Sequence, residues 1–144
     1  MAVLKSTRNA QWVLNATFTW NFDDTMIDAV TGVSGTFASA AAHTVDVIGI
    51  PPNAVIIGGQ LVVTTAFNGS TYPVVVGDST TADRYLTTAD RKAAALVPLV
   101  PTGYVGIGEN LRLTITPTGS TTAGVATVRI QYVVVGRANE VQIT

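Results

Sequence analysis

IPPNAVIIGGQLVVTTAFNGSTYPVVVGD, residues 50–78, decides the fold class. Pro51 and Pro52 end whatever precedes them, because neither can donate a ladder hydrogen bond and each biases its predecessor toward extended backbone. Leu61, Val63, Thr65 and Phe67 then share one parity, and Gln60, Val62, Thr64 and Ala66 the other. Asn68-Gly69 tolerates positive φ, and Tyr72 to Val76 is a second β-branched run. This pattern predicts a β-hairpin closed by residues 68–71, with the turn type left open. Gly58-Gly59 inside the first run predicts a bulge or sheet corner rather than a ligand loop.

Working outward, residues 11–22 show the cleanest alternation. Trp12, Leu14, Ala16, Phe18, Trp20 and Phe22 fall on one side, and Gln11, Asn15, Thr17, Thr19 and Asn21 on the other. A period of two with one aromatic face predicts a long strand. Trp12, Phe18, Trp20 and Phe22, with Phe67 and Tyr132, are therefore expected in the core or a subunit interface rather than in a sugar site. Asp23, Asp24 and Asp28 lack the spacing of a calcium loop and read as a solvated turn. Residues 32–42 are small and uncharged and suggest a loop or a short irregular strand. Residues 43–49 alternate again and predict a strand.

Residues 78–97, DSTTADRYLTTADRKAAALV, are the one stretch without strand character. Thr87 or Thr88 would cap a short helix running from Ala89 through Asp90 to Ala95, with a possible earlier turn at residues 82–86. Asp83, Arg84, Tyr85, Arg91 and Lys92 make this segment the leading candidate for contact with a partner, since long connections on a rigid sheet carry function. Beyond it, residues 104–108, 111–116 and 125–135 read as strands, separated by turns at 109–110 and 117–124. Val133 and Val135 on the polar side of the last strand predict cover on both of its faces. Residues 1–10, with Lys5 and Arg8, read as an extended arm, and 137–144, beginning at Arg137, as a tail able to add a strand to a neighbour.

The composition excludes more than it identifies. A net charge of −1 with scattered Lys and Arg gives no footprint for nucleic acid. No run approaches the roughly 18 apolar residues of a membrane helix. The chain has no cysteine and one histidine, His43. That leaves no thiolate metal site, no nucleophile–base set and no cofactor motif. The N-terminus lacks the apolar core of a secretory signal, so synthesis in a cytoplasm is expected. With 12 % charged and 47 % apolar residues, some of the surface is expected to be covered by a partner.

These features predict an all-β antiparallel sandwich over residues 11–136, with a jelly roll the leading topology, an immunoglobulin-like sandwich second, one short helical excursion and two terminal arms. Three stretches carry a family resemblance: residues 50–69 (IPPNAVIIGGQLVVTTAFNG), the sequence Asp78, Asp83, Arg84, Tyr85, Leu86, and residues 109–134 (ENLRLTITPTGSTTAGVATVRIQYVV). In texture and order they resemble small jelly-roll decoration, or cement, proteins of tailed bacteriophages, without a diagnostic motif. The resemblance implies a non-enzymatic homodimer or homotrimer with no cofactor, bound to the major capsid protein on the outer capsid surface. It further implies that arm and tail exchange with neighbours, and that the segment from Asp78 to Lys92 touches coat protein. The alternative is a receptor- or carbohydrate-binding module of a phage fibre or tail, which exposed Trp12 and Trp20 would favour.

Overall fold

The computed structural model describes residues 11–136. Ten strands follow in order: β1 Leu14–Asn21, β2 Thr25–Ile27, β3 Ser34–Thr36, β4 His43–Ile48, β5 Ala54–Thr65, β6 Pro73–Gly77, β7 Leu86–Asp90, β8 Ala95–Pro98, β9 Leu111–Ile115 and β10 Val125–Val134. Eight of them build two four-stranded antiparallel sheets, ordered β1-β10-β5-β8 and β4-β9-β6-β7, and β2 and β3 pair separately. The neighbours β1/β10, β4/β9, β5/β8 and β6/β7 nest like one long hairpin whose tip lies between β6 and β7. Rolling such a hairpin into two layers gives a jelly-roll order.

Two expectations about local structure are corrected. Residues 50–78 do not form a hairpin, because β5 and β6 belong to opposite sheets. The connection buries Phe67 and Tyr72 in the core, their rings stacked with centroids 3.6 Å apart. A tight turn would have left both rings in water; crossing between the sheets removes them from it. The helix expected after Thr87 is absent as well: β7 pairs with β6, and only residues 91–94 separate it from β8. Three alanines cannot sustain a helix against flanking β-branched residues already held in a ladder.

The predicted bulge is present. Between Gly58, opposite Gln131, and Ile56, opposite Tyr132, residue Ile57 is extra. It switches the inward parity of β5 from Ala54 and Ile56 to Leu61 and Val63, so one 12-residue strand buries both sets. Gly59 is required beside it, because a Cβ there would lie 2.4 Å from the Arg129 carbonyl oxygen. Between the sheets, Trp20, Leu61, Tyr72, Val74, Val76, Leu111, Leu113, Ile115, Val128 and Ile130 form the fully buried centre. Phe18, Phe22 and Tyr132 pack against it, half-buried.

A buried polar chain fixes the aromatic layer. The Trp20 indole N–H donates to the Tyr72 hydroxyl, which donates to the Phe37 carbonyl, each at 3.1 Å. Burial pushes the Tyr72 phenol far above its ordinary range, so it stays a neutral donor.

Candidate functional site

The strand directions sort the connections onto two ends of the sandwich. One end holds residues 49–53, 78–85 and 99–110. The other holds 22–42, 66–72, 91–94 and 116–124. The charged segment expected to act as one contact loop is therefore divided: Asp83, Arg84 and Tyr85 stand at the first end and Arg91 and Lys92 at the second, with β7 between them. A segment without strand character in sequence is in fact a turn, an edge strand and a second turn.

At the first end, Asp78 is buried and organises the turn. Its carboxylate accepts from the Thr80 and Thr81 amides at 3.0 and 2.8 Å, from the Thr80 hydroxyl, and from Arg84 Nε at 2.5 Å. Burial opposes the charge, but the Arg84 bond and the threonine donors outweigh it and hold the carboxyl below its usual range. The Arg84 guanidinium carbon sits 3.5 Å from the Tyr104 ring centre. The Tyr104 hydroxyl donates to Glu109, whose other oxygen accepts from the Ile107 amide at 2.8 Å. This network ties residues 78–85 to 99–110. Arg84 is thus engaged within its own chain and Tyr85 is buried in the core, while Asp83 is exposed.

The first and last described residues, Gln11 and Gly136, lie at this same end. The Gln11 side chain exchanges two 2.9 Å hydrogen bonds with the Val134 backbone. Trp12 is 81 % exposed, so the core half of its reading does not hold, and Ile107 is 77 % exposed. Val13, Val100, Val105 and Val135 are exposed with them. Val105 bridges to Val55, the Val135 amide donates to Asn53, and Gly106 exchanges bonds with Asn53 and Ala54. The result is an apolar rim above a rigid polar network. Sequence reasoning missed this rim, though Gly103, Gly106 and Gly108 around Val105 and Ile107 signalled an irregular exposed loop.

At the opposite end, Lys92 Nζ donates to the Ser70 carbonyl at 3.0 Å, and the Arg91 amide donates to the Tyr72 carbonyl. Asp28 is buried and not part of a solvated turn. Its carboxylate accepts the Thr44, Thr31 and Val30 amides, chiefly Thr44, which lowers its pKa to about 2. Its oxygens are spent on tying β4 to the turn after β2. Among the described residues no group of three or more His, Asp or Glu could hold a metal ion. Trp20 is buried, so the two-tryptophan platform that a glycan-binding module would need is not formed. Lys5, Arg8 and Arg137 lie outside the described residues.

A cleft of about 540 Å³ opens where the β1 edge of one sheet meets the β4 edge of the other, beneath the β2–β3 hairpin. Phe18, Met26, Ile27, Phe37 and Val45 give it an apolar lining, with Thr25, Ser34 and Asp46 at its polar positions.

No protein-family model matches the chain, and no curated protein matches it. Two solved structures contain similar chains. One, from the cyanophage Pam1 capsid asymmetric unit, matches with a TM-score of 0.59 and 17 % identity, over 92 % of this chain and 91 % of that one. Another, from the capsid of Ralstonia phage GP4, matches with a TM-score of 0.54 and 15 % identity, over 92 % and 93 %. At such identities the likeness establishes a shared fold, spanning nearly the whole of each chain.

Proposed function

We propose that this chain is a structural component of a tailed-phage virion, a decoration protein that binds the outer capsid surface and bridges neighbouring subunits of the major capsid protein. The observation that carries this reading is the match, over more than nine-tenths of each chain, to chains found in two phage capsids. A likeness covering more than nine-tenths of each chain favours a comparable role for the whole chain rather than a shared fragment.

The surface chemistry supports the same reading. The end that holds Gln11 and Gly136 presents Trp12, Val105, Ile107 and Val135, and the Asp78–Arg84–Tyr104–Glu109 network fixes the loop that carries Val105 and Ile107. Exposed aromatic and aliphatic residues on a rigid frame are what a contact surface needs, since little side-chain entropy remains to be lost on binding. Asp83 is exposed at the same end, and on this reading Lys5, Arg8 and Arg137 would add polar contacts from the arm and tail. A small oligomer presenting several such ends gains affinity by multivalency, because each contact after the first is effectively intramolecular.

The test is binding to capsids assembled without this chain. The full protein should saturate them at a fixed ratio to the major capsid protein, and removal of residues 1–10 should weaken attachment while the β-domain stays folded. A truncated protein that saturates capsids with unchanged affinity would remove the arm from the account, and a full-length protein that fails to bind refutes the reading.

A further inference from the structure

The polar network at the first end borders a second, much smaller cavity. Its lining mixes Ile50 and Ile56 with Asp78, Tyr85, Tyr104 and Glu109. Its volume is about 10 Å³, the space that one water-sized centre needs. Tyr85 is the lining residue that the network leaves out. It is 5 % exposed and its backbone is paired with Val76 and Val100, yet its hydroxyl has no partner among the described residues. Burial, reinforced by the Asp78 charge, pushes this phenol up to about 12, so it keeps its proton and remains a donor. A buried hydroxyl without a hydrogen bond is costly, and native interiors rarely leave one.

Acceptors with capacity to spare belong to the same lining. Asp78 Oδ1 takes the Thr80 and Thr81 donors, but Oδ2 accepts only from Arg84 Nε. Glu109 accepts from the Tyr104 hydroxyl at one oxygen and from the Ile107 amide at the other. Each of these three oxygens has a second lone-pair site to offer. An unspent donor and the unspent acceptors of two carboxylates therefore share a space the size of one water.

We propose that this cavity is a binding site for a single structural water, which accepts the Tyr85 O–H and donates to Asp78 and Glu109. Three hydrogen bonds are the usual complement of a buried water. A metal cation suits the site less. It cannot accept the Tyr85 proton, Arg84 already brings a positive charge onto Asp78, and two carboxylates are too few for an oxygen-lined cation cage. The water joins residues 78–85 to 99–110 at a point besides the Arg84–Tyr104 contact, and ties both to a side chain of the core. It thereby helps to position the loop that carries Val105 and Ile107, whatever that loop contacts.

A near-atomic-resolution crystal structure of the full-length protein tests the site directly. Density for one water within hydrogen-bond distance of Tyr85 Oη and of carboxylate oxygens of Asp78 and Glu109 is expected. No density, a water that leaves Tyr85 Oη unbonded, or an ion with oxygen contacts of about 2.3–2.6 Å overturns the proposal. Tyr85→Phe tests it in solution by sign. Removing a hydroxyl that has no partner relieves a buried polar group and leaves the urea midpoint unchanged or raised; removing one bonded to the water takes away that water's donor and lowers the midpoint. The Ile107 amide, which donates to Glu109, should exchange for deuterium several-fold faster in the variant. A midpoint that holds or rises, or an unchanged exchange rate at Ile107, overturns the proposal as well. These readings are made on the isolated protein, so they stand or fall apart from capsid attachment.

Discussion

Replacing Tyr72 by Phe removes one oxygen atom from the centre of the core. The ring and its stack on Phe67 survive, so no cavity term enters. What is lost is the acceptor of the Trp20 indole N–H and the donor to the Phe37 carbonyl, both at 3.1 Å and both buried. A buried polar group left without a partner costs about 1–3 kcal/mol. Carbonyls tolerate this better than N–H groups, which places the sum for the pair at roughly 2–4 kcal/mol. For a domain of this size that corresponds to a fall in Tm of roughly 10 °C. Urea unfolding followed by near-ultraviolet circular dichroism should show a lower midpoint with an unchanged slope, since the area exposed on unfolding is the same. Trp20→Phe in the Tyr72→Phe background should cost less than it does alone, because the two changes remove one shared bond. A loss below about 0.5 kcal/mol for Tyr72→Phe would refute the reasoning, since it would mean that these groups have other partners in the folded state.

Three further outcomes follow from single sites. Asp28 has its folded pKa depressed to about 2, so it contributes stability above its unfolded value near 3.8 that is lost as pH falls through about 2. Denaturant titrations between pH 5 and 2 should show this loss, and Asp28→Asn should flatten it. Gly124→Ala should abolish folding or cost several kcal/mol, because Gly124 has φ +145° and a Cβ there would lie 2.0 Å from a Phe67 ring carbon; circular dichroism of the purified variant decides. Asp46→Ala, which breaks the partly exposed 2.7 Å pair with Arg112, should cost less than about 1 kcal/mol in urea unfolding.

The strands were legible in the sequence wherever one face meets the core and the other water. Residues 11–22 and 111–116 alternate cleanly, and strands form within them over Leu14–Asn21 and Leu111–Ile115. Periodicity reports which face of a strand is buried but says nothing about which sheet it joins, so β5 and β6 read as a hairpin although they face each other across the core. A bulge hides itself in the same way: the extra residue Ile57 makes Ala54 and Leu61 look out of phase when both point inward. The segment after Asp78 misled for a different reason. Its charges suggested a solvated connection, but Asp78 and Arg84 neutralise each other under Tyr104, a ring 20 residues further along that no local pattern connects to them. The same holds for Asp28, which reads with Asp23 and Asp24 as one acidic turn but whose oxygens are taken up by backbone amides, one of them from Thr44. The apolar rim around Trp12 and Ile107 was illegible because its members are far apart in sequence and are brought to one end only by the β1–β10 and β10–β5 pairings and the Val55–Val105 bridge.

The most direct measurement of the central claim is a single-particle reconstruction of capsids of the parent phage, made with and without this chain. The account predicts that the chain's absence removes density of one small two-sheet domain from the outer surface, with the end carrying Trp12 and Ile107 turned toward the coat. Identical capsid maps, with the chain found in the tail or absent from the particle, would contradict it.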